Sequence, residues 1–143
     1  ISVFSDKNRH MIASEDGDKY YIMDSKGNRV GDVTASSINY SEGGYRAEDD
    51  EGKYAILDKN GNKVTDFVYA SLYYRDIAKP RNIWTAGRED EKVDVIDADN
   101  KKVILEGVEI EDFDQNYFSV KNDNGDIEYY TFDGKLFYTK NNK

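Results

Sequence analysis

The chain has 143 residues, a formal net charge of −9 and no cysteine. Missing thiols exclude disulfide frameworks, thiolate metal sites and cysteine nucleophiles, and the acidic balance argues against binding nucleic acid or an anionic membrane, both of which need a basic face. Although 34% of residues are charged, 13% are aromatic and fall in register along the chain, so it reads as one folded domain, 1–143, rather than a disordered segment.

In chain order, the first strand expected is Met11-Ile12-Ala13, followed by an acidic turn at Glu15-Asp16-Gly17-Asp18 and a second strand carrying Tyr20 and Ile22. That strand ends in Asp24-Ser25-Lys26-Gly27, and a third begins near Val30. The same order returns as Tyr45-Arg46-Ala47, Glu48-Asp49-Asp50-Glu51-Gly52, a strand with Tyr54 and Ile56, Asp58-Lys59-Asn60-Gly61, and Val64. A third copy runs through Trp84-Thr85-Ala86, Glu89-Asp90-Glu91, Val93 and Val95, Asp97-Ala98-Asp99-Asn100, and Val103. The last runs through Phe118-Ser119-Val120, Asp123-Asn124-Gly125-Asp126, Ile127 and Tyr129, Thr131 to Gly134, and Phe137. Asp at the first turn position bonds the turn backbone, and Gly at the fourth accepts a left-handed conformation. Asn100 stands where the other copies have Gly, because Asn best tolerates that conformation after Gly. On this reading Gly61→Val costs about 1–2 kcal/mol.

These copies recur with a period of about 34 residues, the signature of units that bury their apolar faces on their neighbours. The expectation is an all-β fold of four tandem antiparallel three-stranded repeats with few or no helices. The units fall at approximately 9–38, 39–77, 78–111 and 112–140, forming an open solenoid-like array, with a small β-propeller as the alternative. Met23, Leu57, Ile96 and Tyr130 share one position on the outer face of the second strand, so the neighbouring repeat is expected to cover it. Asp94 and Glu128 mark that face as partly wet. An insertion of about five residues falls around Arg75 to Arg81, with the only proline, and maps to a surface loop.

Tyr40-Ser41-Glu42-Gly43-Gly44-Tyr45-Arg46-Ala47, followed by Gly52-Lys53-Tyr54-Ala55-Ile56-Leu57-Asp58-Lys59-Asn60-Gly61-Asn62-Lys63-Val64, resembles a bacterial WG (KWG) repeat, and Phe113 through Val120 echoes its first half. All four units align, although the dipeptide that names the family is replaced by Tyr54-Ala55 and by Tyr20-Tyr21, Val93-Asp94 and Ile127-Glu128 in the others. The resemblance implies a β-rich bacterial repeat module, often part of a larger protein, with no shared catalytic residues.

The search for chemistry returns little. His10 is the only histidine and reads as a surface residue, since no serine is marked as its nucleophile; zinc would need further ligands. The acids sit in exposed turns where nothing raises a carboxyl pKa, which disfavours glycoside hydrolysis. Asp123, Asp126 and Glu128, or Asp97 and Asp99, offer oxygen donors, but none fits the spacing of an EF-hand loop, so no metal or cofactor is expected. In a regular array the acidic turns would line one edge. The turns bearing Lys26, Arg29, Lys59, Lys63, Lys101, Lys102 and Lys135 would line the other.

The function expected is therefore a non-enzymatic binding module of a bacterial, surface-associated protein in an extracytoplasmic setting, docking a protein partner. Candidate contact residues are Tyr73, Tyr74, Arg75 and Arg81 beside the insertion and Glu48, Asp49 and Asp50 in an acidic turn. Tyr73 and Tyr74 are adjacent in a strand, so they point to opposite faces and cannot both be fully buried. Lectin-like binding of a surface glycan and a structural spacer are the alternatives. No apolar run approaches the roughly 18 residues of a membrane span, and Ile1 in place of Met reads as loss of a start or signal segment.

Overall fold

The computed structural model describes residues 10–142, and its secondary structure is antiparallel strand apart from one short 3-10 turn. Residues 1–72 and 73–143 form two compact units. In the first, β1 (Met11–Ala13), β2 (Tyr20–Met23) and β3 (Arg29–Ala35) make one three-stranded sheet; β4 (Ser37–Ser41), β5 (Gly44–Glu48) and β6 (Tyr54–Leu57) make another. The remaining strands form a seven-stranded sheet: β7 (Ser71–Tyr74), β8 (Ile83–Gly87), β9 (Val93–Asp97), β10 (Lys102–Phe113), β11 (Tyr117–Lys121), β12 (Ile127–Thr131) and β13 (Leu136–Lys140). Neighbours in sequence are neighbours in each sheet, and no sheet closes on itself.

Every first and second strand expected from the repeat is present, marked by its two-residue alternation, although the most enclosed of them, such as β8, is buried on both faces rather than one. The structure differs in four places. An additional strand precedes the first one in the later copies: β4, β7 and the second half of β10, where Glu109 and Ile110 pair with Lys121 and Val120. Near Val64 the third strand shrinks to a single bridge, Leu57 to Lys63, as Thr65 turns back and its Oγ accepts from the Ile56 N–H. The third copy's turn slides by one residue, so Lys101 (φ 51°), not Asn100, takes the left-handed conformation. Asp97 has joined the end of β9, opposite Lys102. Asp94 is only 4% exposed, so the face it marks is dry. Its Oδ1 accepts from Arg88 Nε (2.9 Å), Arg88 Nη2 (2.7 Å) and the Gly107 N–H (2.8 Å), where β10 bulges.

Turn chemistry follows the residues closely. Asp24 Oδ1 accepts the N–H groups of Lys26 and Asn28, and Asp58 Oδ1 those of Asn60 and Asn62, all at 2.9 Å. In the fourth copy Thr131 Oγ takes over part of this role, accepting from Lys135 at 3.3 Å. The acidic turns are built alike: Asp49 Oδ1 accepts from Glu51 and Lys53, and Asn122 Oδ1 from Asn124 and Asp126.

Packing repeats as well. In the first unit Ile12 and Ile22, on one face of β1 and β2, pack against Tyr45, Ala47 and Leu57 on β5 and β6. In the second, Ile83 and Val95 pack against Phe118, Val120 and Tyr130. Ile22 aligns with Val95, and Tyr45, Ala47 and Leu57 align with Phe118, Val120 and Tyr130, so in both pairs one face of a copy lies on the opposite face of the next. Leu57 is fully buried in this way, as the shared outer position required. The turn of the later copy also meets the third strand of the earlier: a Cβ on Gly61 would stand 2.6 Å from the Val30 carbonyl oxygen, and one on Gly134 3.5 Å from Ile104 Cγ2.

Candidate interaction surface

Tyr73, Tyr74, Arg75 and Arg81 come from β7, an edge strand, and from the insertion that follows it. The insertion is a 3-10 turn, Asp76–Ala78, followed by a cis Lys79-Pro80 bond; Ala78 is buried while Ile77 projects outward, 51% exposed. Pairing with β8 points alternate side chains of β7 to opposite sides. Tyr73 is 60% exposed, whereas Tyr74 is half-buried with its ring centroid 5.5 Å from that of buried Trp84. Trp84 is itself pinned, donating its indole N–H to Asn82 Oδ1 at 2.8 Å.

Both arginines lie over aromatic rings. The Arg75 guanidinium carbon is 5.2 Å from the Phe113 ring centre and 5.9 Å from that of Tyr73, while Nε donates to Thr85 Oγ at 2.9 Å. Arg81 lies 5.3 Å from the Phe132 ring and donates to the Gln115 carbonyl at 3.1 Å. Burial pulls the Arg75 pKa below its ordinary value, and the neighbouring Tyr73 opposes that shift. Neither arginine has a carboxylate partner among the described residues. A guanidinium held over rings, with N–H donors left over, is pre-organised for a planar acceptor such as a carboxylate. Thr85, Phe113 and Phe132, which hold the arginines, were legible only as a strand residue, the start of a repeat echo and a turn residue. Ile77 was legible only as part of the insertion.

Glu48, Asp49 and Asp50 belong to the other compact unit and are engaged inside it. Asp49 organises its own turn, as above. Glu48 accepts from Ser37 Oγ at 3.4 Å. Asp50 accepts from Lys19 Nζ at 2.6 Å and from Ser36 Oγ, which tie it to the preceding copy; these hydrogen bonds hold its carboxyl below the ordinary carboxylate range. In each hairpin the acidic and basic turns lie at opposite ends of the strands. The contrast is softened because Lys19, Lys53 and Lys92 follow the acidic turns and Asp24, Asp58 and Asp97 open the basic ones.

The described residues contain no group of three or more His, Cys, Asp or Glu side chains able to hold a metal ion, and no helix long and apolar enough to cross a membrane. No protein-family description and no curated protein matches the chain. Among solved structures, it is similar to the crystal structure of HIRA residues 644–1017, with a TM-score of 0.45, 9% identity, and 96% of this chain aligned. It is also similar to the WD40 β-propeller domain of Doa1, with a TM-score of 0.38, 13% identity, and again 96% of this chain aligned. The chain spans about half the length of each, 53% in both cases.

Proposed function

We propose that this chain is a non-enzymatic module that docks a protein partner through β7 and the insertion after it. The observation that carries the reading is Tyr73: a large aromatic side chain, 60% exposed on an edge strand, beside an arginine already fixed by Thr85 and Phe113. Tyrosine and arginine are the side chains that most often anchor protein interfaces, and a pre-ordered arginine loses little entropy on binding. Ile77 extends the apolar area, and Arg75 and Arg81 favour a partner that presents carboxylates. Glu48, Asp49 and Asp50 serve chiefly to build and tie their own turn.

In this reading the four sequence copies are stacked repeats of an open, solenoid-like array that acts as a rigid support for the loop. We read the module as bacterial on its resemblance to WG repeats, and take its setting to be surface-associated. Quantitative affinity capture tests the docking claim, with wild-type, Tyr73→Ala and Arg75→Ala chains as baits at two salt concentrations. The reading expects the same protein enriched on wild type, weakened at least tenfold by either substitution, and weakened by salt. Baits that capture identically would refute it. A glycan that binds in moderate salt and is lost on Tyr73→Ala or Tyr74→Ala would favour the lectin-like alternative, since both rings lie in that region.

A further inference from the structure

Arg75 and Arg81 stand on one aromatic support. The Phe113 ring beneath Arg75 and the Phe132 ring beneath Arg81 are 5.6 Å apart, centre to centre, and each lies 5.5 Å from the ring of buried Phe118. The Tyr73 ring, Arg75, Phe113, Phe132 and Arg81 therefore form one continuous series of contacts within residues 73–143. Each guanidinium is tethered on a different side. Arg75 donates to Thr85 through Nε, which leaves Nη1 and Nη2 as an end-on fork. Arg81 donates to the Gln115 carbonyl through Nη1, which leaves the Nε–Nη2 edge as a side-on fork. Either fork matches the two oxygens of one carboxylate.

Acids close by in the sequence do not fill these forks. Asp112 and Asp114, on either side of Phe113, accept from the backbone N–H groups of Phe113 and Gln115 at 2.9 and 2.6 Å. Asp76, next to Arg75, is exposed and pairs with neither arginine. A chain of net charge −9 thus holds two cations without carboxylate partners on one ring platform, beside Tyr73 and Ile77. The acidic balance of the rest of the chain repels an acidic ligand, so the arginines select where one can settle.

Resting on the docking reading above, we infer that the partner element is a short extended acidic segment. Its carboxylates stand on alternate residues, one on each arginine, and an apolar side chain two residues before the first meets Tyr73. Side chains on one face of an extended segment are about 6.5 Å apart. The Arg75 guanidinium carbon lies 5.9 Å from the Tyr73 ring centre, which suits that step. Neighbouring acids point to opposite faces, so an adjacent pair serves only one fork. Two forks on separate rings call for two planar acceptors rather than one shared phosphate.

Fluorescence anisotropy with labelled peptides and the whole chain tests this. One peptide carries the order Leu-Ser-Glu-Ser-Glu; a second has the same composition with the glutamates adjacent. The first is expected to bind at least tenfold tighter. Arg75→Lys and Arg81→Lys keep the charge but lose the fork, and each should bring the first peptide down to the affinity of the second. The melting temperature of Arg81→Lys, a change at an exposed position, should stay at that of wild type. Equal affinity for the two peptides, or no binding of either up to about a millimolar, overturns the inference. So does tighter binding of a peptide with one phosphoserine in place of both glutamates, which would mean that the arginines share a tetrahedral anion. The capture experiment reads docking separately: a protein still lost on Tyr73→Ala beside any of these failures strikes the acidic segment and leaves the docking reading in place.

Discussion

Gly27 and Gly61 close equivalent turns with nearly the same backbone, φ +84° and +77°, yet the chain around them differs. An L-residue in that conformation costs about 1–2 kcal/mol. At Gly27 a new Cβ meets nothing within 4 Å, so that is the whole cost of Gly27→Ala. At Gly61 the Cβ would lie 2.6 Å from the Val30 carbonyl oxygen, 3.2 Å from its carbon and 3.4 Å from Ile22 Cδ1. A backbone carbonyl in β3 cannot rotate aside as a side chain can, so the turn and strand must separate. Overpacking of this kind costs about 1–3 kcal/mol. Gly61→Ala therefore costs about 2–5 kcal/mol in total, by adding the overpacking to the backbone strain. At about 2–4 °C per kcal/mol for a chain of this size, the two variants should melt about 2–12 °C apart, Gly61→Ala lower. Far-UV circular dichroism at low chain concentration reads this, with urea titration as the equilibrium check. Equal losses for the two variants would refute the claim that the turn of one copy bears on the third strand of the one before.

The Arg88–Asp94 pair in the third copy, with one buried and one exposed member, should be asymmetric. Arg88→Ala leaves the Asp94 carboxylate, 4% exposed, without its charge partner and should cost about 3–5 kcal/mol in urea unfolding. Asp94→Ala removes one acceptor from an arginine whose side chain is 41% exposed and can turn to water, so about 1–3 kcal/mol is expected. Acid should weaken the fold through the turn carboxylates. Backbone N–H groups hold Asp16 and Asp24 below their ordinary 3.8, so their contribution is full above that value and is lost as pH falls through the lower folded value. The urea midpoint should be nearly level from pH 7 to about 5 and fall below about pH 4. Asp24→Asn, which keeps the acceptor but does not titrate, should make the fall shallower. Tyr73→Ala should leave stability within about 0.5 kcal/mol of wild type, since the side chain is largely in solvent; a larger loss in thermal melts would assign Tyr73 to packing instead.

Sequence patterning exposed the first and second strands because large and small apolar residues repeat two apart in every copy, from Met11 and Ala13 to Phe118 and Val120. The extra strands were hidden for a physical reason. Ser37-Ile38-Asn39-Tyr40-Ser41 is mostly polar, and only Ile38 is fully buried, so its hydrogen-bond ladder rather than its side chains makes it a strand. The shift from Asn100 to Lys101 follows from one more residue pairing in β9, a backbone register that composition does not record. Asp94 misled because a charged residue in a strand usually marks water; here Arg88 and a bulge at Gly107 satisfy it in the interior. For the candidate surface, Tyr73 and the insertion were legible as local features. The support of Arg75 by Phe113 and of Arg81 by Phe132 joins residues far apart in the chain, which only the fold brings together.

The docking claim is tested most directly at Tyr73 itself. A photo-crosslinking phenylalanine analogue would replace Tyr73 in one sample and Asn60, an exposed turn residue, in another, each irradiated in a lysate of the source cells. The account predicts a discrete protein adduct at position 73, competed by unlabelled wild type and absent at position 60. No adduct at 73, or the same adducts at both positions, would contradict it.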